Sequence, residues 1–157
     1  MSEEVAVTPH FLIIESHYYP DVTAELVKGA VGVLSRKECT YERVEVAGCL
    51  EIPAAVKFAI KSMQLYEGED RFHGFITLGC VIRGETSHYD HVCENTMNGI
   101  AELTKDYSLA IGNGVLTTEN KEQAMARARV DKGDKGGWAA KTCIEMLALK
   151  DRFGLLR

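Results

Sequence analysis

Residues 75–82 read FITLGCVI, eight positions without a charge. A run so short and so evenly apolar, with no alternation of polar residues, is the pattern of a strand covered on both faces, as in a parallel sheet held between two layers of helices. The residues beyond it agree. Gly84 punctuates the chain, and Val92, Ile100 and Leu103 then recur at helical spacing along one face. Strand, loop and helix in that order make one βα unit.

The same alternation extends in both directions. Residues 11–15 (FLIIE) form a β-rich run, and Val22, Leu26, Ala30, Val33 and Leu34 then share one helical face. Residues 41–46 (YERVEV) predict a second strand, with Ile52, Val56, Ala59, Ile60 and Met63 marking a helix after it. Residues 109–116 predict a fourth strand whose end is loosened by Gly112 and Gly114, and two helices come next over 120–130 and 138–152, separated by a KGDKGG turn. Four strands alternating with helices predict an α/β fold: a three-layer α/β/α sandwich on a four-stranded parallel sheet with right-handed crossovers, flavodoxin-like in its layering. No linker, repeat or low-complexity tract divides the chain, so residues 1–157 are expected to form a single domain, with 1–9 as an extended N-terminal arm.

Composition narrows the function. The 157 residues are 46% hydrophobic and 26% charged, the balance of a folded chain, and the net charge of -5 with no basic stripe argues against a nucleic-acid partner. The acidic start MSEEVAVTPH is unlike a secretory signal, and no apolar run approaches the length of a membrane span, so no membrane partner and a cytoplasmic location are expected. Cys39, Cys49, Cys80, Cys93 and Cys143 include no C-x-x-C pair, as expected of reduced thiols.

Ligands of such sheets sit beyond the carboxyl ends of the strands, near the reversal in strand order, which directs attention to loops beginning near Ser16, Ala47, Arg83 and Asn113. In the third of these, Gly84 permits a tight turn, Thr86 or Ser87 can cap the next helix, and Ser87 with Asp90 has the spacing of a capping box. Unpaired N–H groups at such a helix start favour an anion, although a plain capped helix fits the same residues. His88 in the first turn could move protons near neutrality or simply lie on the surface. His88 and His91 are three apart with Cys93 and Glu94 close behind. Cys93 falls on a different face and no second cluster supplies further ligands, so no metal is expected. Glu51 could hold a polyol or favour the start of the second helix. Tyr18 and Tyr19 offer aromatic faces to a heterocycle or pack at a rim. Arg127, Arg129, Lys132 and Lys135 could meet a phosphate or complement a helix C-terminus.

In this order and spacing the segments resemble the 6,7-dimethyl-8-ribityllumazine synthase family. The motifs are Tyr18 after the first strand, V-x-G-x-x-E-I-P from Val46 to Pro53, G-x-V-I-R-G-x-T-x-H-x-D from Gly79 to Asp90, T-T-E-N from Thr117 to Asn120, and K-G at Lys135 and Gly136. The resemblance implies condensation of 5-amino-6-(D-ribitylamino)uracil with 3,4-dihydroxy-2-butanone 4-phosphate, a step of riboflavin biosynthesis that needs no cofactor. It implies that Tyr18 stacks on the pyrimidine, that Cys49 lies in the substrate pocket, that the backbone at Val81 and Ile82 reads the polar edge, and that Glu51 holds ribityl hydroxyls. Gly84, Glu85 and Thr86 would present N–H groups to the phosphate, with Arg127 from a neighbouring subunit, and His88 would shuttle protons. Asn113 and Lys135, also from the neighbour, would complete a pocket shared between chains, so a homo-oligomer is implied.

Departures from the family pattern refine these expectations. The turn Arg129 to Asp134 lacks the G-T-K-A-G-N form of shell-forming relatives, which implies a pentamer or a dimer of pentamers. Asn113 stands where many relatives place an aromatic ring, Tyr19 replaces a common asparagine, and Glu85 replaces a small residue and is expected to face solvent. The alternative is a low-activity family member that binds riboflavin or lumazine. A response-regulator receiver would need an acidic pair near Ser16 and an aspartate at Arg83, a flavodoxin would need a hydroxyl- and glycine-rich loop at 17–21, and no P-loop pattern occurs.

Overall fold

Four parallel strands lie in the order β2-β1-β3-β4. They are β1 (His10–Ser16), β2 (Thr40–Val46), β3 (Gly74–Ile82) and β4 (Ile111–Thr118), and they alternate with helices α1 (Pro20–Arg36), α2 (Ile52–Leu65), α3 (His88–Asp106), α4 (Lys121–Ala128) and α5 (Lys135–Arg152). A short 3-10 turn, Cys49–Glu51, leads into α2. The computed structural model describes residues 8–66 and 70–156. Most of the expected arm over 1–9 therefore lies outside the described residues, and the Pro9 carbonyl already accepts a hydrogen bond from the Thr40 N–H at 3.1 Å.

Side chains alternate between two cores, as the two-residue period of a strand requires. Phe11, Ile13, Ile76, Leu78, Cys80 and Leu116 pack with α1, α4 and α5, whereas Leu12, Ile14, Phe75, Ile111 and Val115 pack with α2 and α3. Each of these larger side chains contributes roughly 1.5–3 kcal/mol by leaving water. β2 is the exception. It is an edge strand, largely exposed, and its charged residues Glu42, Arg43 and Glu45 discourage further pairing. Pro20 and Pro53 occupy the first turns of α1 and α2, where a missing N–H costs nothing. No helix among the described residues is long and apolar enough to cross a membrane.

The end of the chain departs from the sequence-based expectation, and glycine is the reason. β4 lies two residues later than predicted, pairing from Phe75↔Ile111 to Ile82↔Thr118, so that polar Thr117 and Thr118 belong to it and Asn113 is mid-strand instead of starting a loop. Gly112 does not loosen this strand. A Cβ there would overlap the Ala139 carbonyl of α5. Gly136 likewise belongs to the first turn of α5, where a Cβ would overlap the Leu26 carbonyl of α1. The two glycines let α5 press between α1 and β4, and α5 accordingly starts at Lys135, capped by the Asp134 carboxylate accepting from the Gly137 N–H at 3.2 Å. α4 stops at Ala128, and Asn120 is its cap, its side-chain oxygen accepting from the Gln123 N–H at 2.8 Å.

Gly112→Ala should therefore force α5 off the sheet. We expect a loss of about 2 kcal/mol or more in denaturant unfolding; an unchanged midpoint at equal slope would show that the helix is not held this closely.

Candidate functional site

β3 is longer than its partner β1 at the carboxyl end. The β1–β3 ladder stops at Glu15↔Leu78, whereas the β3–β4 ladder continues to Ile82↔Thr118. Residues 79–82 thus project past β1 with one backbone edge lacking a strand partner. The chain leaves β1 sideways: the His17 N–H donates to the Val46 carbonyl of β2 at 3.3 Å, and the Thr23 hydroxyl donates to the Ser16 carbonyl at 2.5 Å. A cleft of about 420 Å³ opens over the projecting edge.

Three loops close around it. Tyr18 and Tyr19 come from the β1–α1 loop, Cys49 and Glu51 from the β2–α2 connection, and Val81, Ile82, Gly84, Thr86, His88 and Tyr89 from the end of β3 and the start of α3. Tyr18 is 69% exposed at the mouth and meets Tyr19 edge-on, 5.0 Å between centroids. The floor is uncharged. Burial pushes the thiols of Cys49 and Cys80 up to about 11, so both stay protonated and neither is an activated nucleophile.

The β3–α3 loop is arranged differently from the expected capping box. Ser87 makes no side-chain cap bond, Thr86 Oγ1 accepts from the His88 N–H at 3.3 Å, and Asp90 Oδ1 accepts from Arg83. The box does not form: Ser87 has a helical backbone (φ -68°, ψ -2°) in place of the extended conformation of a cap residue, and Asp90 turns to that guanidinium. Gly84 is not in the left-handed region, and a Cβ on it would meet nothing within 4 Å, so its smallness preserves access and is not needed for a turn. Glu85 is exposed, as expected.

Of the residues expected at the site, Tyr18, Cys49, Glu51, Val81, Ile82, Gly84, Thr86 and His88 line this cleft, and Glu85 sits in the same loop. Asn113, Arg127 and Lys135 do not line it within one chain. Asn113 Oδ1 accepts from the Thr77 hydroxyl (3.3 Å) and the Val115 N–H (3.0 Å) of its own chain. Arg127 is exposed at the end of α4, one guanidinium nitrogen donating to the Gln123 carbonyl, and the Lys135 ammonium lies 5.2 Å from the centroid of the Trp138 ring. Arg83 carries no role in the sequence reading, yet it bonds Glu119 and Asp90. A larger concavity of about 590 Å³ opens at the opposite edge of the sheet, lined in part by Phe72, Tyr107 and Leu155, and holds none of the expected residues.

The candidate metal ligands His88, His91, Cys93 and Glu94 do not converge. Among the described residues, one group has ligand atoms within 4.8 Å of one another: Glu15, His17 and Glu45. Glu15 is fully buried, and its oxygens already accept from Arg43 Nε (2.9 Å) and Nη2 (2.7 Å) and meet His17 Nε2 (2.8 Å). This is an ion network tying the carboxyl end of β1 to β2.

Cleft, loop and fold define a small-molecule enzyme of the doubly wound α/β class, with its site at the carboxyl edge of a parallel sheet. The family model described as 6,7-dimethyl-8-ribityllumazine synthase matches residues 8–151. The chain is 44% identical over 154 residues to the 6,7-dimethyl-8-ribityllumazine synthase of Bartonella bacilliformis, covering 98% of each chain. It is 46% identical over 145 residues to 6,7-dimethyl-8-ribityllumazine synthase 1 of Rhizobium meliloti (92% of this chain, 94% of the relative), and 45% identical over 146 residues to that of Sphingopyxis alaskensis (93% and 98%). The chain belongs to the 6,7-dimethyl-8-ribityllumazine synthase family.

The Glu15 network allows a test of the site's foundation. Burial raises the Glu15 pKa, and the bonds from Arg43 and His17 outweigh it, leaving the carboxyl below its ordinary 4.5. A depressed native pKa contributes stability above about pH 4.5 that is lost as pH falls through the lower native value. Arg43→Ala leaves the buried charge with His17 alone and should cost roughly 2 kcal/mol at pH 7, less than for a fully buried pair because Arg43 is 46% exposed. The deficit should shrink as acid protonates Glu15 in the variant first; a deficit constant from pH 7 to pH 4 would contradict this.

Proposed function

We infer that the cleft is where this enzyme condenses 5-amino-6-(D-ribitylamino)uracil with 3,4-dihydroxy-2-butanone 4-phosphate, giving 6,7-dimethyl-8-ribityllumazine, two waters and inorganic phosphate. The chain is a transferase of riboflavin biosynthesis. The observation that carries the placement is the unpaired edge of residues 79–82, framed by an aromatic side chain, a carboxylate and a helix start.

Each part of the substrates has a matching group. The pyrimidine stacks on Tyr18, its donors and acceptors meet the open backbone at Val81 and Ile82, and Cys49 supplies a neutral floor. Glu51 accepts from ribityl hydroxyls. The phosphate lies at the start of α3 against the N–H groups of Gly84, Glu85 and Thr86, where the helix dipole favours an anion. His88, the first residue of α3, lies beside the reacting carbonyl. It takes and returns protons as the amine condenses with the ketone and expels one water, as phosphate departs, and as the ring closes with loss of a second water.

Asn113, Arg127 and Lys135 reach the pocket from an adjacent subunit. Their absence from the cleft of one chain supports this reading, as does the exposure of Arg127 and Lys135. The working unit is a pentamer, alone or paired, of single-domain chains in the cytoplasm. Arg127 supplies a guanidinium to the phosphate, which its fork geometry suits. The binding-protein alternative has no observation in its favour.

His88→Ala should lower kcat by about a hundredfold with KM values changed little, because general acid–base catalysis contributes at that scale. Arg127→Ala should instead raise KM for the butanone phosphate by about tenfold or more and leave the KM of the uracil near its normal value. Steady-state kinetics decide, and an interchange of these two phenotypes would reverse the assignments.

A further inference from the structure

We propose that Arg83 is a positioning residue for the phosphate-bearing substrate, fixing the β3–α3 loop and cancelling two carboxylates that would otherwise repel a dianion. The inference rests on the placement of the phosphate at the start of α3.

Arg83 is the first residue beyond β3, and its N–H donates to the Thr118 carbonyl at 2.9 Å, so its backbone is held by the sheet. Its side chain joins three segments. Nε donates to Glu119 of the β4–α4 connection at 2.8 Å, and Nη1 donates to Asp90 in the first turn of α3 at 3.3 Å. The guanidinium also covers the face of Tyr89 at 4.3 Å, and Tyr89 lines the cleft beside His88. A displaced Arg83 would release the ring and the turn that carries the imidazole.

Charge points the same way. Glu85, Asp90 and Glu119 put three carboxylates around a short loop, with Arg83 the cation bonded among them. Without it, a dianion approaching the N–H groups of Gly84 to Thr86 would meet three negative side chains, and like charges at such range weaken binding in proportion to their number. Exposed ion pairs of this kind contribute little to stability, so substitution should leave the fold intact while the loop loses its anion affinity.

The test is a titration of the assembled protein with inorganic phosphate, followed by the amide NMR signals of Gly84, Glu85 and Thr86, alongside steady-state kinetics. Arg83→Gln should weaken phosphate on the order of tenfold and raise KM for the butanone phosphate alike, with the uracil KM little changed. Adding Asp90→Asn and Glu119→Gln to that variant removes the repulsion and should recover about threefold of the lost phosphate affinity, the remaining loss reporting the released loop, whereas a purely structural loss would recover nothing. Should the Arg83→Gln protein fail to assemble, Asp90→Asn with Glu119→Gln alone should bind phosphate more tightly than the unmodified protein. Unaltered affinity in Arg83→Gln, or no recovery in the triple variant, would overturn the proposal. Amides that ignore phosphate in the unmodified protein would instead remove the placement of the phosphate, and the inference with it.

Discussion

The unequal reach of two neighbouring strands governs this molecule. β1 stops pairing at Glu15, four residues short of the end of β3, because its last groups are already committed elsewhere. The Ser16 carbonyl accepts from Thr23, the His17 N–H turns to β2, and the buried Glu15 carboxylate is held by Arg43 of the same neighbour. A chain so pinned cannot track β3 upward. The backbone left open offers hydrogen-bonding groups to a planar heterocycle, and the loops on either side carry the proposed stacking face and anion site.

Electrostatics are distributed to match. The floor is neutral, since burial keeps the Cys49 and Cys80 thiols protonated, while charges collect around the rim in Glu51, Arg83 and its two carboxylates. Low polarity beneath a reacting group strengthens the hydrogen bonds that hold it. Behind the sheet, α5 is seated against β4 at Gly112 and, through its own Gly136, against α1, which sets where Lys135 leaves the surface.

Strands β1, β2 and β3 were legible in the sequence because apolar or β-rich runs mark them directly, and the loop motif at Gly79 to Asp90 led to most of the cleft. Glycine was harder to read. Gly112, Gly136 and Gly137 look like loosened or turning chain, yet Gly112 and Gly136 are compact sites whose partners, Ala139 and Leu26, are distant in sequence and meet them only after packing. Ser87 has the spacing of a capping box but neither its extended backbone nor its bonds, and Asp90 is bonded to an arginine whose ties no local pattern reveals. Arg83 escaped notice for the same reason: its importance lies in Glu119, thirty-six positions away. The assignment of Asn113, Arg127 and Lys135 to the pocket rests on the family resemblance, and none of them lines the cleft of its own chain.

Whether one pocket draws on two chains is best settled by mixing subunits. The His88→Ala and Arg127→Ala proteins, each with about a tenth or less of normal activity at low substrate concentration, would be unfolded together in equal amounts, reassembled, and assayed. If imidazole and guanidinium come from adjacent chains, roughly a quarter of the pockets in random assemblies receive both intact groups, and activity should rise to about that fraction of the unmodified protein. A mixture no more active than its parents would mean that both groups serve the same chain's cleft, and the shared site would be wrong.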